Sequence, residues 1–280
     1  MGKMKTASWK AKVMLAAILV VILSFSIFSP ALASAETKAP PAEHESIVIN
    51  NGLIDIRWFG ETASSGWYYP ALTSNVFSET AAVACGGNLP VPLWMGTLVR
   101  PYPNFGVPNT WYHAAILLDL DLDTVNDVQV QRSIMVPSGK TFFYVRYMIT
   151  NIGPSYLTNL RFFQGADYDI RNFTNDEGGY AGGLTPAGFV WTHDVGDGIN
   201  NWVGFKGSLV PCHHSVASYW QMWTQVYAGV LNDANYFRGD PGVALEWHLG
   251  VLPVGYAKGL TVKFAFAHSM FQLALQLMLP

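Results

Sequence analysis

VQVQRSIMVPSGKTFFYVRYMIT, Val128 to Thr150, alternates apolar and polar residues on both sides of Pro137-Ser138-Gly139-Lys140. Val128, Val130, Arg132, Ile134 and Val136 share one face of the first half; Thr141, Phe143, Val145, Tyr147 and Ile149 share one face of the second. A period of two sends successive side chains to opposite faces of an extended chain, so this stretch predicts two strands joined as an antiparallel hairpin.

The same period recurs outward from it. Ile47 to Asn50 and Leu53 to Phe59 flank Asn51-Gly52, a dipeptide suited to a tight hairpin turn. Leu157 to Gln164, Gly188 to His193 and Asn201 to Lys206 read as further strands, and Val243 to Leu249 with Leu260 to Ala267 as a closing hairpin. One stretch departs: Ser215 to Leu231 places Trp220, Trp223, Tyr227 and Val230 at helical spacing, with Asn232-Asp233 to end it. The last residues, Phe271 to Pro280, alternate Leu with Gln and also suit a helix. The expected fold is all-β, a large antiparallel β-sandwich with one packed helix, with residues 47–280 as a single domain.

The N-terminus has a separate logic. Lys3, Lys5, Lys10 and Lys12 precede the apolar run Val13 to Phe28, then Ser29-Pro30-Ala31-Leu32-Ala33-Ser34-Ala35, the layout of a secretory signal peptide over residues 1–35. Residues 36–46, with Pro40-Pro41 and three glutamates, read as an exposed tether. Cleavage after Ala35 removes four lysines and no acid, moving the formal net charge from −3 to −7. A mildly acidic exported chain argues against nucleic acid or an anionic membrane as partner, and no later segment has the apolar length of a membrane span. Cys85 and Cys212 suit one long-range disulfide in an oxidising compartment; two buried thiols are the alternative.

Two phrases resemble a known group. Tyr147, Ile149, Asn151 and Gly153, followed by Leu157-Thr158-Asn159-Leu160 and Asp167-Tyr168-Asp169, are similar to the repeated phrasing of secreted bacterial and archaeal cell-surface β-sandwich modules. Gly242 to Gly250, Leu252-Pro253-Val254-Gly255 and Thr261-Val262-Lys263-Phe264 resemble their closing hairpin. Related large sandwiches form the galactose mutarotase-like supersandwich group of carbohydrate-active enzymes. The resemblance spans about half of the exported chain and implies fold and compartment; it does not assign the catalytic His and Glu of the epimerase members to residues of this sequence.

QGADYDIRNFTNDEGG, Gln164 to Gly179, gathers four carboxylates into sixteen residues of a chain that is only 12% charged. Asp167, Asp169, Asp176 and Glu177 offer hard oxygen donors on a loop, which suits Ca²⁺; a solvated polar loop is the other reading. Asp119, Asp121 and Asp123 alternate with Leu118, Leu120 and Leu122, as a strand with one solvent face does. Asp167, Asp169 and Glu246 are the carboxylates to consider for glycoside hydrolysis. His213 and His214 are adjacent and so make no joint ligand set, and His193-Asp194 lacks an accompanying nucleophile motif. Trp67, Tyr68 and Tyr69 between Gly66 and Pro70 cannot all face inward, and flat aromatic faces suit sugar rings.

The expectation is an exported, extracellular or cell-surface β-sandwich, acting as a non-catalytic carbohydrate-binding or surface module with a polysaccharide or cell-surface glycan as partner. Two rivals are a secreted carbohydrate-active enzyme and a self-associating structural subunit of a surface layer or filament.

Overall fold

Val128 to Thr150 pairs as its alternation predicts, antiparallel from Tyr144 opposite Met135 to Asn151 opposite Val128. The structure, a computed structural model, describes residues 46–50, 53–59, 65–68, 74–76, 78–103, 111–170, 175–183, 188–195 and 201–279. Residues 44–280 form one compact unit. The expected signal peptide and nearly all of the expected tether lie outside the described residues, as does Tyr69; Trp67 and Tyr68 are described only as backbone.

In chain order the first strands are β1 (Ser46–Asn50), β2 (Asp55–Phe59), β3 (Ser65–Tyr68), β4 (Ser74–Val76), β5 (Ser78–Ala84) and β6 (Val91–Pro92). Next come β7 (Thr97–Pro103), β8 (Trp111–Leu118), β9 (Val128–Met135), β10 (Phe142–Asn151), β11 (Leu157–Asp167) and β12 (Asp176–Tyr180). Then follow β13 (Val190–Asp194), β14 (Trp202–Gly207), β15 (His213–Ser218), helix α1 (Tyr219–Ala228), β16 (Tyr236–Gly239), β17 (Pro241–Leu252), β18 (Ala257–Ala267) and helix α2 (Met270–Met278). They form a nine-stranded sheet in the order β16-β12-β13-β14-β18-β10-β9-β8-β7, a five-stranded sheet β15-β17-β11-β5-β6, and a four-stranded sheet β1-β2-β3-β4.

The larger two sheets sandwich one core. Ile134, Val145, Phe205 and Phe264 from the nine-stranded sheet share it with Val83, Phe162, Leu245 and Trp247 from the five-stranded sheet. Tyr147 crosses between them, its ring centroid 4.7 Å from that of Phe162. Inside this apolar layer lies a fully buried polar network: Arg132 donates to Glu79 at 2.5 Å, Tyr147 Oη to Gln164 Oε1 at 2.7 Å, and Gln164 Nε2 to Glu79 Oε1 at 2.5 Å. It ties β9 and β10 to β5 and β11. Removing one partner strands a buried charge, so the network fixes how the sheets face each other.

Several expectations change. Val243–Leu249 and Leu260–Ala267 are strands but not a hairpin: β17 lies between β15 and β11, and β18 between β14 and β10, in different sheets. Alternation identifies a strand and its buried face, and both sheets present that face to one core, so periodicity cannot say which sheet receives the strand. The helix expected over 215–231 begins four residues later, after β15, where Ser218 accepts from Gln221 N. Its buried residues are Met222, Trp223 and Val226, whereas Trp220 and Val230 face outward. Gly229 closes it at φ 69°, a left-handed cap that only glycine adopts without cost. A second helix, α2, is capped by Ser269 and buries Leu273, Ala274 and Leu277, so the C-terminal segment is helical rather than a strand. No helix among the described residues is long and apolar enough to cross a membrane.

The disulfide does not form. Cys85 is a buried free thiol and Cys212 an exposed one. Cys85 follows β5 and Cys212 precedes β15, three strand steps apart in one sheet, or about 14 Å at the usual strand spacing. A disulfide needs Cα atoms within about 7 Å.

Candidate functional site

The acid-rich stretch is not one loop. Gln164 to Asp167 end β11, and Asp176 to Gly179 open β12 in the other sheet. Along β11, Ala166 enters the sandwich core, so Asp167 projects from the opposite face. Gly165 shares that outer face, and a Cβ there would come within 2.6 Å of the Trp223 ring. A Cβ at Gly242, the residue paired with Asp167, would lie 2.8 Å from Tyr219 Cα. The absence of side chains at these two positions lets α1 settle against the sheet with its first turn next to Asp167.

Asp240 completes the group. It joins β16 to β17, and its carbonyl accepts from Tyr219 N at 2.9 Å. Carboxylate oxygens of Asp167, Asp169 and Asp240 all lie within 4.8 Å of one another. Asp176 approaches from β12. Its neighbour on the same face, Gly178, has its Cβ position 2.9 Å from Pro241, next to Asp240. Asp176 is fully buried; its Oδ2 accepts from Ile170 N at 3.0 Å, while its Oδ1 has no hydrogen-bond partner. Asp167 Oδ1 and Asp240 Oδ1 are buried and unpartnered as well.

The electrostatics follow from that crowding. Burial, then the charges of Asp169, Asp240 and Asp176, push the Asp167 carboxyl up to about 8. Burial raises Asp176 to about 8 against the opposing Ile170 N–H, with Asp194, Asp169 and Asp240 adding to the rise. Asp240 reaches about 6 through burial and Asp169, and burial raises Asp169. At neutral pH Asp167 and Asp176 therefore favour their protonated forms.

Glu177 does not join it. As the next residue on β12 it points to the other face, where its nearest cation is Arg238 on β16 at 3.6 Å. Asp240, which the sequence reading did not single out, takes its place; an isolated Asp in Arg238-Gly239-Asp240-Pro241-Gly242 carries only a turn signal.

Asp119, Asp121 and Asp123 do not form a strand. Residues 119–127 are an irregular loop between β8 and β9, with Leu122 and Thr124 at φ 62° and 79°. Asp119 accepts from the N–H groups of Leu122, Asp123 and Thr124 at 2.7, 3.2 and 2.7 Å, and Asp127 from Leu120 N at 2.7 Å. Asp119, Asp121, Asp123 and Asp127 repeat the first, third, fifth and ninth positions of an EF-hand loop, with Val130 where the bidentate glutamate would stand. Asp119, Asp121 and Asp127 also bring carboxylate oxygens within 4.8 Å of one another, but here backbone N–H groups already donate to these acids.

Glu246 lies apart from Asp167. Gly242 pairs with Asp167 and Glu246 with Phe163, so four residues of strand separate them, about 13 Å. Glycosidase carboxylates stand about 5 to 9 Å apart. Glu246 instead accepts from His248 Nε2 at 2.9 Å and Arg161 Nη1 at 3.4 Å, and the same Arg161 nitrogen donates to Gly229 O at 2.8 Å, tying α1 to the sheet. The adjacent histidines meet on one acid: His213 Nδ1 lies 2.9 Å from Asp233 Oδ2, and His214 N donates to Asp233 Oδ1 at 3.0 Å. His193 stacks on Trp202 with ring centroids 4.1 Å apart.

No family model matches the chain. Among solved structures, a bacterial glucoamylase complexed with acarbose matches 88% of this chain with 36% of its own, at a TM-score of 0.62 and 10% identity. A protein from the human microbiome assigned as a kojibiose phosphorylase matches 84% of this chain with 32% of its own, at a TM-score of 0.53 and 10% identity. These two share the fold, and this chain spans about a third of the length of each. Galactose mutarotase-like proteins are also among the matches; one from Lactobacillus casei has a TM-score of 0.49 and 9% identity, covering 79% of this chain and 100% of its own.

Proposed function

We propose that this protein is an exported, non-catalytic β-sandwich module that binds carbohydrate. The observation that carries the reading is the match of 88% of the chain to part of a bacterial glucoamylase complexed with acarbose. Export rests on the basic, apolar and small-residue order of residues 3–35. A non-catalytic role is favoured by Glu246, whose bonds to Arg161 and His248 give it a structural task, and by the separation of Glu246 from Asp167. Aromatic rings for sugar stacking stand exposed at Trp94, Tyr219, Trp220 and Tyr236, in addition to the expected platform of Trp67, Tyr68 and Tyr69.

Depletion of the purified protein by a panel of insoluble polysaccharides, with the supernatant assayed for new sugar ends, tests the reading. Retention without release supports it; retention with release assigns an enzyme. No retention on any of them overturns it in favour of a structural subunit. Trp220→Ala and Trp67→Ala, in separate variants, locate the platform by which one lowers retention.

A further inference from the structure

The acidic cluster at the ends of β11 and β12 has a chemistry that sugar binding does not explain. We propose that Asp167, Asp169 and Asp240, joined by Asp176 from the neighbouring sheet, form a calcium site that locks the ends of β11, β12 and β17 together.

Three observations support it. Carboxylate oxygens of Asp167, Asp169 and Asp240 come within 4.8 Å of one another, a separation that suits ligands of a single ion. Asp176 is an independent fourth: it arrives on another sheet, is fully buried, and leaves Oδ1 without a protein partner. Asp167 is 4% exposed with its Oδ1 likewise unpartnered, so these oxygens lack both water and donors. Buried polar atoms are otherwise satisfied as a rule, and a fixed cation satisfies several at once.

The donor set selects the ion. All four groups are carboxylates, with no imidazole or thiolate among them, which favours a hard cation over zinc or copper. The ligands come from a strand end, a following loop, a second strand and a turn, giving irregular geometry that Ca²⁺ tolerates and the tight octahedron of Mg²⁺ does not. A carboxylate binds a cation only when deprotonated, so binding releases any proton that the crowded acids share, and affinity must rise with pH. The charges acting on Asp167 are Asp169, Asp240 and Asp176, and those acting on Asp176 are Asp194, Asp169 and Asp240, all of one sign.

The test is thermal unfolding of the purified exported protein, stripped with chelator and titrated with Ca²⁺ alone at pH 5 and pH 8. At pH 8, free Ca²⁺ about 100-fold above Kd should raise Tm by about 5 to 10 °C, with a smaller shift at pH 5. Calorimetric titration in two buffers of different ionisation enthalpy should show proton release. Asp167→Asn should lose the Ca²⁺ shift while its Tm in chelator stays at or above that of the parent, which shows that the variant folds. Asp240→Asn should weaken binding at least tenfold, and Asp121→Asn in the β8–β9 loop should leave the shift intact. An unchanged Tm in millimolar Ca²⁺ at pH 8 overturns the proposal, as does a shift that survives Asp167→Asn or one that vanishes in Asp121→Asn. Polysaccharide retention is a separate readout, so either proposal can fail alone.

Discussion

Two aspartates, Asp119 and Asp167, each the first of an acidic group with nearly the same local pattern, meet opposite physical fates. In the β8–β9 loop, Asp119 lies near the surface; its slight desolvation is outweighed by N–H donors from Thr124, Leu122 and Asp123, and its carboxyl lies below the ordinary range. At the junction of the two sheets, Asp167 is buried without a partner for Oδ1 and its carboxyl rises to about 8. One acid orders a loop by accepting from its own backbone. The other is held by the fold in a place where its charge is costly. Spacing of acids is therefore a poor guide to their role; the supply of donors and the access of water decide it.

The strongest way to break that contrast is to neutralise one acid from each group. In chelator at pH 8, Asp167→Asn should stabilise the protein by at least about 1 kcal/mol, because it removes a buried ionisable group without compensation. Asp119→Asn should destabilise by about 1 to 2 kcal/mol, because an amide oxygen cannot replace both carboxylate acceptors. Chemical denaturation of both variants checks the opposite signs; equal signs would erase the distinction.

The pH profile sharpens it further. Asp167 and Asp176 keep protons in the fold that the unfolded chain releases near pH 4, so between about pH 4 and 8 the native state binds more protons. Stability of the cation-free protein must then fall as pH rises through that window. Asp119 contributes in the reverse sense: its depressed carboxyl adds stability present above the unfolded value and lost as pH falls through the folded one. Melting temperatures in chelator from pH 3 to 9 should therefore peak on the acidic side and decline toward pH 8. Asp167→Asn should flatten the declining limb and leave the acid limb unchanged.

The smallest effect belongs to Glu177. It was grouped with Asp176 by sequence, but it meets Arg238 across a partly exposed gap of 3.6 Å. Glu177→Gln should change stability by less than about 1 kcal/mol and leave any calcium response intact. A loss of that response would place Glu177 back among the ligands.

How much was legible varies by element. The β9–β10 pair was readable as two strands with their buried faces, because alternation keeps Val130, Ile134, Val145 and Ile149 inside and forbids a one-residue slip. β12 was not, since Asp176-Glu177-Gly178-Gly179-Tyr180 lacks apolar alternation and is a strand only because β13 and β16 pair with it on both sides. The helix α1 was readable as a helix but not in its facing, because Trp220 and Trp223 are alike in sequence and differ only in which meets the sheet. Three of the four acids, Asp167, Asp169 and Asp176, were picked out by sequence, whereas Asp240 lies far along the chain and joins Asp167 and Asp169 only through the β16–β17 connection.

What this sequence determined by itself was local: extended segments with one apolar face, a basic and apolar N-terminal segment, and a mildly acidic chain rich in aromatic residues. Those properties depend on neighbours within a few residues, where side-chain period and chemistry suffice. What only the tertiary structure decided was which sheet each strand joins, that Cys85 and Cys212 stand too far apart to bond, and that Asp240 meets Asp167 and Asp169 with carboxylate oxygens within 4.8 Å. Desolvation and charge repulsion act through space rather than along the chain, so their values are set only once the sheets have met.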